Sequence, residues 1–183
     1  MKFNEFLTEN PMIFDMERDE LDDLYTKRRD VEKFNGKKIG TVDGYDMYQY
    51  TKGVTEHFAL FDNDDDTESV VSSRCTSITR NGNYQQGLIL KKSEIKTDTL
   101  MKFFYTIVDI LKFVISDDLQ STGGKKFWQR VIGDNVGGDK CEVGTLIHGR
   151  DPIKYNAEKW RSTFNSTYTG DNPGHVTHYI KVK

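Results

Sequence analysis

The middle of the chain alternates apolar and polar residues with a period of two, which is the pattern of half-buried β-strands. Runs rich in β-branched and aromatic residues are separated by turn signals such as Asp43-Gly44 and Asn81-Gly82, which favour tight hairpins. The pattern predicts an antiparallel meander of about five strands. These strands are expected at residues 38–42, 45–50, 56–61, 69–78 and 85–92.

Residues 100–113 carry the strongest helical pattern in the chain. Their apolar side chains recur at helical spacing and cover more than half of the circumference, so this helix is expected to be largely buried. Thr97 or Asp98 is expected to act as its N-cap, because either side chain accepts hydrogen bonds from the free amides of the first turn.

Shorter patterns follow the long helix and complete the predicted sheet. A second helix is expected to bury Phe127 and Trp128 on one side. Between the last two strands, a polar stretch with Gly and Pro at about residues 149–174 predicts a surface loop excursion, anchored by Tyr155 and Trp160. The shorter patterns predict a strand at 113–116, a helix at 120–132, and strands at 140–147 and 176–182.

Residues 1–35 have a different pattern, in which acidic residues precede basic ones and the apolar residues are irregularly spaced. This charge order suits a helix, because carboxylates are stabilised at its N-terminal end and cations at its C-terminal end. We therefore predict an N-terminal helical extension at 1–35, followed by one domain at 36–183. The extension is either a solvated surface helix or an arm that docks onto a partner.

Composition restricts the class of protein. The 183 residues suit one domain, and 11 Phe, 9 Tyr and 2 Trp are sufficient for a hydrophobic core. A net charge of -3 provides no overall attraction to nucleic acid, and we find neither a membrane-spanning apolar segment nor a signal peptide. Cys75 and Cys141 lack Cys-x-x-Cys spacing, so neither a disulfide framework nor a zinc site is indicated. We expect a cytosolic protein without nucleic-acid or membrane partners.

The order of the predicted elements carries a resemblance to a known superfamily. Antiparallel strands lead into a buried helix, then a strand ending in Ser116-Asp117, then a helix with a Phe-Trp pair. This order resembles the GNAT acyltransferases, and residues 114–131 resemble the matching segment of GNAT-like proteins of bacteriophages. The resemblance covers roughly residues 38–132. The fold class that we predict is therefore α/β of the α+β type, a GNAT-like and mostly antiparallel sheet of about seven strands with helices on both faces.

The resemblance implies a place for acyl-CoA. In GNAT enzymes two central strands splay apart, and the cofactor lies in the gap with its diphosphate on the N-terminus of the following helix. The family loop that holds the diphosphate is rich in glycine, whereas residues 92–100 contain none and include Glu94 and Asp98, whose carboxylates repel phosphates. Cofactor binding is thus expected to be weakened. The implied cofactor contacts are Leu90, Lys92, Lys96, Thr97, Thr99 and Gln120.

The catalytic groups that the resemblance implies are also incomplete. Active members often carry a Tyr on the helix after the splayed strands, where it protonates the departing thiolate, but this stretch has Phe127 and Trp128. Asp117 at a strand end, or Glu94, is the candidate for a general base that acts through water. The other interpretation of Asp117 and its neighbour Gln120 is that they cap the helix and satisfy loop amides.

No metal site is predicted. Carboxylates cluster at residues 62–68, but Thr67 and Ser73 stand where an EF-hand loop requires Gly and Glu, so a solvated hairpin tip is the favoured interpretation. The four histidines lie on separate predicted elements, although His175 and His178 are close in sequence. Metal binding needs ligands that converge in space, which spacing alone does not establish.

The altered loop and the missing Tyr favour a protein that keeps the GNAT fold without efficient acyl transfer. We expect a bacteriophage-type protein that binds other proteins, is made in the host cytoplasm and enters the virion as a structural component. Its expected partners are phage structural proteins, with self-association as a further option, and this interpretation requires no cofactor. The alternative is an acetyl-CoA-dependent N-acetyltransferase that modifies a protein or a small amine.

Overall fold

The computed structural model describes residues 25–78, 83–116, 122–147, 152–169 and 176–183. Over these residues the chain forms a nine-stranded sheet and four helices. The strands are β1 (Lys37–Val42), β2 (Tyr45–Lys52), β3 (Thr55–Phe61), β4 (Val71–Ser77), β5 (Tyr84–Lys91), β6 (Phe113–Ile115), β7 (Cys141–Ile147), β8 (Ile153–Lys154) and β9 (Val176–Val182). The helices are α1 (Arg28–Lys33), α2 (Thr97–Leu111), α3 (Thr122–Asn135) and α4 (Trp160–Thr169).

The strands are ordered β1-β2-β3-β4-β5-β6-β9-β7-β8 across the sheet. All neighbours are antiparallel except β5 and β6, which are parallel. The first five strands lie side by side in chain order, so the predicted meander is confirmed. The α+β class is confirmed as well, but the sheet has nine strands rather than about seven. β8 has only two residues, too few for an alternating pattern to reveal it.

The larger core lies on the face of the sheet that α2 covers. Phe58 and Leu60 of β3 are fully buried there, in one cluster with the apolar residues of α2. Phe104 of α2 makes edge-to-face contacts with Phe127 and Trp128 of α3, at ring-centroid distances of 4.9 and 5.7 Å. The predicted burial of the long helix and of the Phe-Trp pair is therefore confirmed.

The opposite face of the same strands is covered by α1. Ala59 and Phe61 of β3 form a second core with Val31 of α1 and Tyr50 of β2. Tyr50 stacks on His57, with ring centroids 4.5 Å apart. Helices thus cover both faces of the sheet. From the described part of the predicted extension, Val31 belongs to this second core and Phe34 packs against it, while residues 1–24 lie outside the described residues.

The last strands are organised around His178 of β9, which is fully buried. Its backbone N–H donates to Ser116 Oγ at 2.8 Å, and its ring stacks on Phe164 of α4 with centroids 4.5 Å apart. The hydroxyl of Tyr155 lies 3.0 Å from its Nδ1. Burial lowers the pKa of His178 to about 3, so this imidazole is neutral at physiological pH.

The predicted excursion at about residues 149–174 contains regular structure where it is described. β8 extends the sheet beside β7, and α4 buries Phe164 in the main core. Tyr155 is 4% exposed and Trp160 packs partly buried against the core, so both side chains anchor this segment as expected. Residues 148–151 and 170–175 lie outside the described residues.

A substitution at Gly144 tests the close packing between β7 and β9. A Cβ at this position would lie 2.5 Å from the ring of Tyr179 and closer still to the carbonyl oxygen of Ile153. We expect Gly144→Ala to lower the free energy of unfolding by about 1–3 kcal/mol, because backbone and ring must shift. Urea denaturation measures the effect.

Gly40 in β1 provides the matched control, because a Cβ there meets no atom within 4 Å. Gly40→Ala is expected to change the free energy of unfolding by less than about 0.5 kcal/mol. Equal effects of the two substitutions would contradict the packing argument.

The second core predicts acid sensitivity through His57. Burial, together with the charges of Arg74 and Lys52, lowers the pKa of His57 to about 4, from a usual value of 6.5. Below pH 6.5 the unfolded chain therefore binds a proton that the folded chain does not, and stability falls as the pH approaches 4. Between pH 6.5 and 5 this linkage costs roughly 1.5 kcal/mol.

His57→Phe keeps a ring against Tyr50 and removes the titrating group. Urea denaturation at pH 6.5 and at pH 5 is expected to give a smaller pH-dependent loss for this variant than for the wild type. An identical loss in both proteins would show that His57 is not buried in its neutral form.

Candidate acyl-CoA site

β5 and β6 separate soon after they meet. Their parallel pairing joins only Tyr84 with Val114 and Gln85 with Ile115. β5 then continues to Lys91. Among the described residues, no strand pairs with the β6-facing edge of β5 beyond Gln85. Two parallel strands that part in this way leave backbone amides without a strand partner, as the resemblance to GNAT proteins implies for an acyl-CoA gap.

β5 also carries a bulge that sequence reasoning missed. The register with β4 moves from Ser73 opposite Ile89 to Cys75 opposite Gln86, so β5 holds one extra residue. Bulges bend a strand and occur often beside functional sites. Gly87, the exposed glycine inside this strand, was the available signal. The side-chain oxygen of Gln86 is buried here without a hydrogen-bond partner among the described residues.

The turn from β5 into α2 is held by its own backbone and side chains. Lys91 Nζ donates to the carbonyl oxygen of Ile95 at 2.9 Å, and Ile95 is buried. The N-cap of α2 is Lys96, with no side-chain cap hydrogen bond, so the prediction of Thr97 or Asp98 as cap is wrong. The predicted caps fail because Thr97 is already the first helical residue and Asp98 pairs with α3 instead.

The polar side chains at the entry of α2 are engaged within the chain. Lys92 Nζ lies 3.2 Å from Glu68, and Thr99 Oγ donates to Asp43 at 2.8 Å. Asp98 pairs with Arg130 of α3 at 2.6 Å. Two of the predicted cofactor contacts, Lys92 and Thr99, are thus already hydrogen-bonded or ion-paired. Lys96 and Thr97 are exposed, as is Glu94, which accepts a hydrogen bond from Ser93 at 3.2 Å.

Glu68 shows how the charge of this region is neutralised. Its carboxylate forms ion pairs with both Lys27 and Lys92. Burial raises the pKa of Glu68, but the hydrogen bonds from Lys27 and Lys92 outweigh that effect and leave the pKa below its usual value. Glu68 is therefore ionised, and it neutralises one of the lysines that a diphosphate would need.

Leu90, the remaining described cofactor candidate, lies beneath the N-terminal segment. Tyr25 and Leu90 are 4% and 3% exposed and form a small core to which Leu88 adds. The segment is fixed there because Thr26 N–H donates to Ser69 Oγ at 3.0 Å, while Ser69 N–H donates to the Thr26 carbonyl at 2.9 Å. The sequence indicated Tyr25 as one of the apolar residues of the extension but not its contact with Leu90, since a contact between distant residues leaves no local pattern.

The other candidate catalytic groups do not assemble with this region. Asp117 and Gln120 lie outside the described residues. Ser116 is fully buried and accepts the hydrogen bond from His178. Burial raises the pKa of Cys75 to about 12, so its thiol stays protonated and is unsuited to nucleophilic attack.

Acidic groups near the β3–β4 connection make local contacts. Asp62 accepts a hydrogen bond from the backbone of Asp64 at 3.1 Å, and Asp65 accepts two from Thr67. Across the described ranges, no three His, Cys, Asp or Glu side chains converge in a way that could hold a metal ion. Nor does any helix in those ranges have the length and apolarity needed to cross a membrane.

Neither a protein-family model nor a curated protein sequence matches this chain.

Removal of the Tyr25 ring tests whether the N-terminal segment closes over β5. Tyr25→Ala is expected to lower the free energy of unfolding by about 3 kcal/mol, since a fully buried ring is lost. It should also speed hydrogen exchange at the amides of Leu88 and Leu90. Urea denaturation and exchange by mass spectrometry measure the two effects.

Tyr25→Phe is the matched control, because it keeps the ring on Leu90. We expect it to stay within about 1 kcal/mol of the wild type. Unchanged exchange in β5 after Tyr25→Ala would mean that the segment does not cover this strand.

Proposed function

We propose that this chain is a GNAT-fold protein of the bacteriophage type that binds other proteins and does not transfer acyl groups. On this proposal it is made in the host cytoplasm and becomes a structural component of the virion, with phage structural proteins as partners. The bacteriophage origin and the class of partner rest on the sequence resemblance alone.

The observation that carries the proposal is the engagement of the groups at the entry of α2. Lys92 is paired with Glu68, Thr99 is bonded to Asp43, and Leu90 lies under Tyr25. A bound diphosphate would have to displace these contacts and would then face two exposed carboxylates, Glu94 and Asp98. The turn also lacks a glycine that would bring backbone amides close to phosphates. These features support protein binding over cofactor-dependent catalysis.

One observation favours the alternative, an acetyl-CoA-dependent N-acetyltransferase acting on a protein or a small amine. β5 and β6 diverge after two paired positions. β5 carries a bulge in the part that does not pair with β6. A pantetheine arm could pair with the amides of this edge as a substitute strand. Asp117 or Glu94 would then serve as the general base through water.

Calorimetric titration with acetyl-CoA distinguishes the two functions. We expect no saturable heat from the wild-type chain at cofactor concentrations up to about 1 mM, the level at which only very weak binding would escape detection. The physical reason is that Lys92 at the entry of α2 is paired with Glu68, and that the turn before the helix contains no glycine to bring backbone amides close to a diphosphate.

Thr97→Glu and Thr106→Glu are the matched pair for this experiment, since they place the same charge at the start and in the middle of α2. Micromolar binding by the wild type that Thr97→Glu abolishes and Thr106→Glu retains would establish the acyltransferase alternative.

Sedimentation of the chain in cell extract gives the second readout, and the proposal expects it in a complex larger than 21.2 kDa.

A further inference from the structure

A groove of about 380 Å³ lies between α3 and α4. We call it the α3–α4 groove. Two residues of α3 and four of α4 line it, namely Gln129, Arg130, Trp160, Arg161, Phe164 and Asn165. Its volume lies at the lower end of the range of ligand-binding sites, which is roughly 300–1,000 Å³. None of the lining residues is among the cofactor contacts that the resemblance implies.

The indole of Trp160 forms a fixed wall of the groove. It packs against the main core and meets the ring of Phe164 edge to face, with centroids 6.5 Å apart. On the α3 side, a Cβ at Gly133 would lie only 3.3 Å from Trp160 Cζ2, so the missing side chain lets the indole approach α3 closely. Contacts from both helices therefore fix the orientation of the indole.

Arg161 is held by this indole. Its guanidinium carbon lies 5.3 Å from the centroid of the Trp160 ring, within the distance of a cation–π contact. The residue is exposed and forms no ion pair within the described ranges of the chain. A guanidinium that lies over a ring keeps the N–H groups at its edge available as donors. Arg161 is therefore an oriented donor group in the groove.

The second guanidinium of the groove is already compensated. On the α3 side, Arg130 pairs with Asp98 at 2.6 Å and with Asp134 at 3.8 Å. Among the lining residues, Arg161 is thus the cation whose charge no ion pair compensates within the described chain. One carboxylate matches one such charge. A phosphate group carries about −1.5 to −2 charges at neutral pH and would need a further cation.

We propose that the α3–α4 groove binds an Asp or Glu side chain of a partner protein, whose carboxylate accepts two hydrogen bonds from the Arg161 guanidinium. The planar fork of a guanidinium matches the two oxygens of a carboxylate. Trp160 supplies an apolar wall for the methylene groups of the same side chain. Trp and Arg are also the residue types that are enriched at the energetic centres of protein interfaces. The inference rests on the proposed protein-binding function and names the chemistry of its partner.

Selection from a displayed library of random heptapeptides tests the inference. Wild-type chain, Arg161→Gln and the control Arg29→Gln, on an exposed arginine of α1, are used as parallel baits. We expect the wild type and Arg29→Gln to enrich peptides with Asp or Glu at one fixed position, and Arg161→Gln not to enrich them. Absence of enrichment on the wild type, or equal enrichment on all three baits, overturns the inference.

Calorimetry with one enriched peptide, made synthetically, then assigns the contact. Arg161→Gln is expected to raise Kd about fivefold, the upper end of the range for exposed ion pairs, because the guanidinium is already oriented. Replacing the acidic residue of the peptide with its amide should raise Kd for the wild type by a similar factor and leave Kd for Arg161→Gln unchanged. Equal losses for the two proteins would mean that the carboxylate binds elsewhere, and would overturn the inference.

Two further measurements with the same peptide test the planar fork and the ligand class. Arg161→Lys keeps the charge without the fork, so its Kd is expected between those of the wild type and Arg161→Gln. A Kd equal to that of the wild type would contradict the two-bond contact. Inorganic phosphate is expected to compete no better than acetate at equal ionic strength. Displacement of the peptide by phosphate alone would identify a phosphate site and overturn the carboxylate assignment.

Failure of this inference is distinguishable from failure of the proposed function. If Arg161→Gln sediments in cell extract in the same large complex as the wild type, protein binding stands and the α3–α4 groove is not its site. If the wild type sediments alone, the protein-binding function itself fails.

Discussion

The strands of the meander are apolar on both faces, and this constraint organises the rest of the structure. Residues 57–61 of β3 are buried without interruption, with Phe58 and Leu60 on one face and Ala59 and Phe61 on the other. Each face needs a cover to keep this surface from water. α2 and α3 cover the first face. Among the described elements, α1 and the residues just before it cover the second.

The cover of the second face determines the state of the candidate acyl-CoA site. The segment that enters α1 runs beside residues 68 and 69 and places Tyr25 on Leu90. In the same region Glu68 lies between Lys27 and Lys92, so a contact that fixes the segment also neutralises a cation near α2. The same segment therefore buries the Leu90 side chain of β5 and helps to neutralise a lysine at the entry of α2.

Local patterns in the sequence accounted for most of the fold. Alternation and turn residues located the first five strands, and helical spacing located α2, because each signal is confined to a few neighbouring residues. α4 escaped prediction since it is largely polar and only Phe164 lies fully buried. β8 was not predicted either, because its two residues form a strand only by pairing with β7.

In the candidate site, the sequence did not predict the hydrogen-bond and ion-pair partners of the polar residues. The resemblance to the GNAT pattern implied Lys92 and Thr99 as cofactor contacts, and both residues lie at the entry of α2. Their partners, Glu68 and Asp43, come from a loop and a hairpin turn that only the folded sheet brings near. Tertiary contacts of this kind decide whether a polar side chain is available to a ligand. The spacing of apolar and polar residues along the sequence does not predict such contacts.

Ion pairs remove part of the charge near the entry of α2. Asp98 pairs with Arg130 there, and Asp43 pairs with Lys102. Exposed pairs of this kind contribute at most about 1 kcal/mol each to stability, so their larger consequence is to remove charge that would otherwise recruit an ion. At this end of the sheet the fold therefore uses its own carboxylates to neutralise cations, Arg130 by Asp98 and Lys92 by Glu68, that an anionic ligand would otherwise meet.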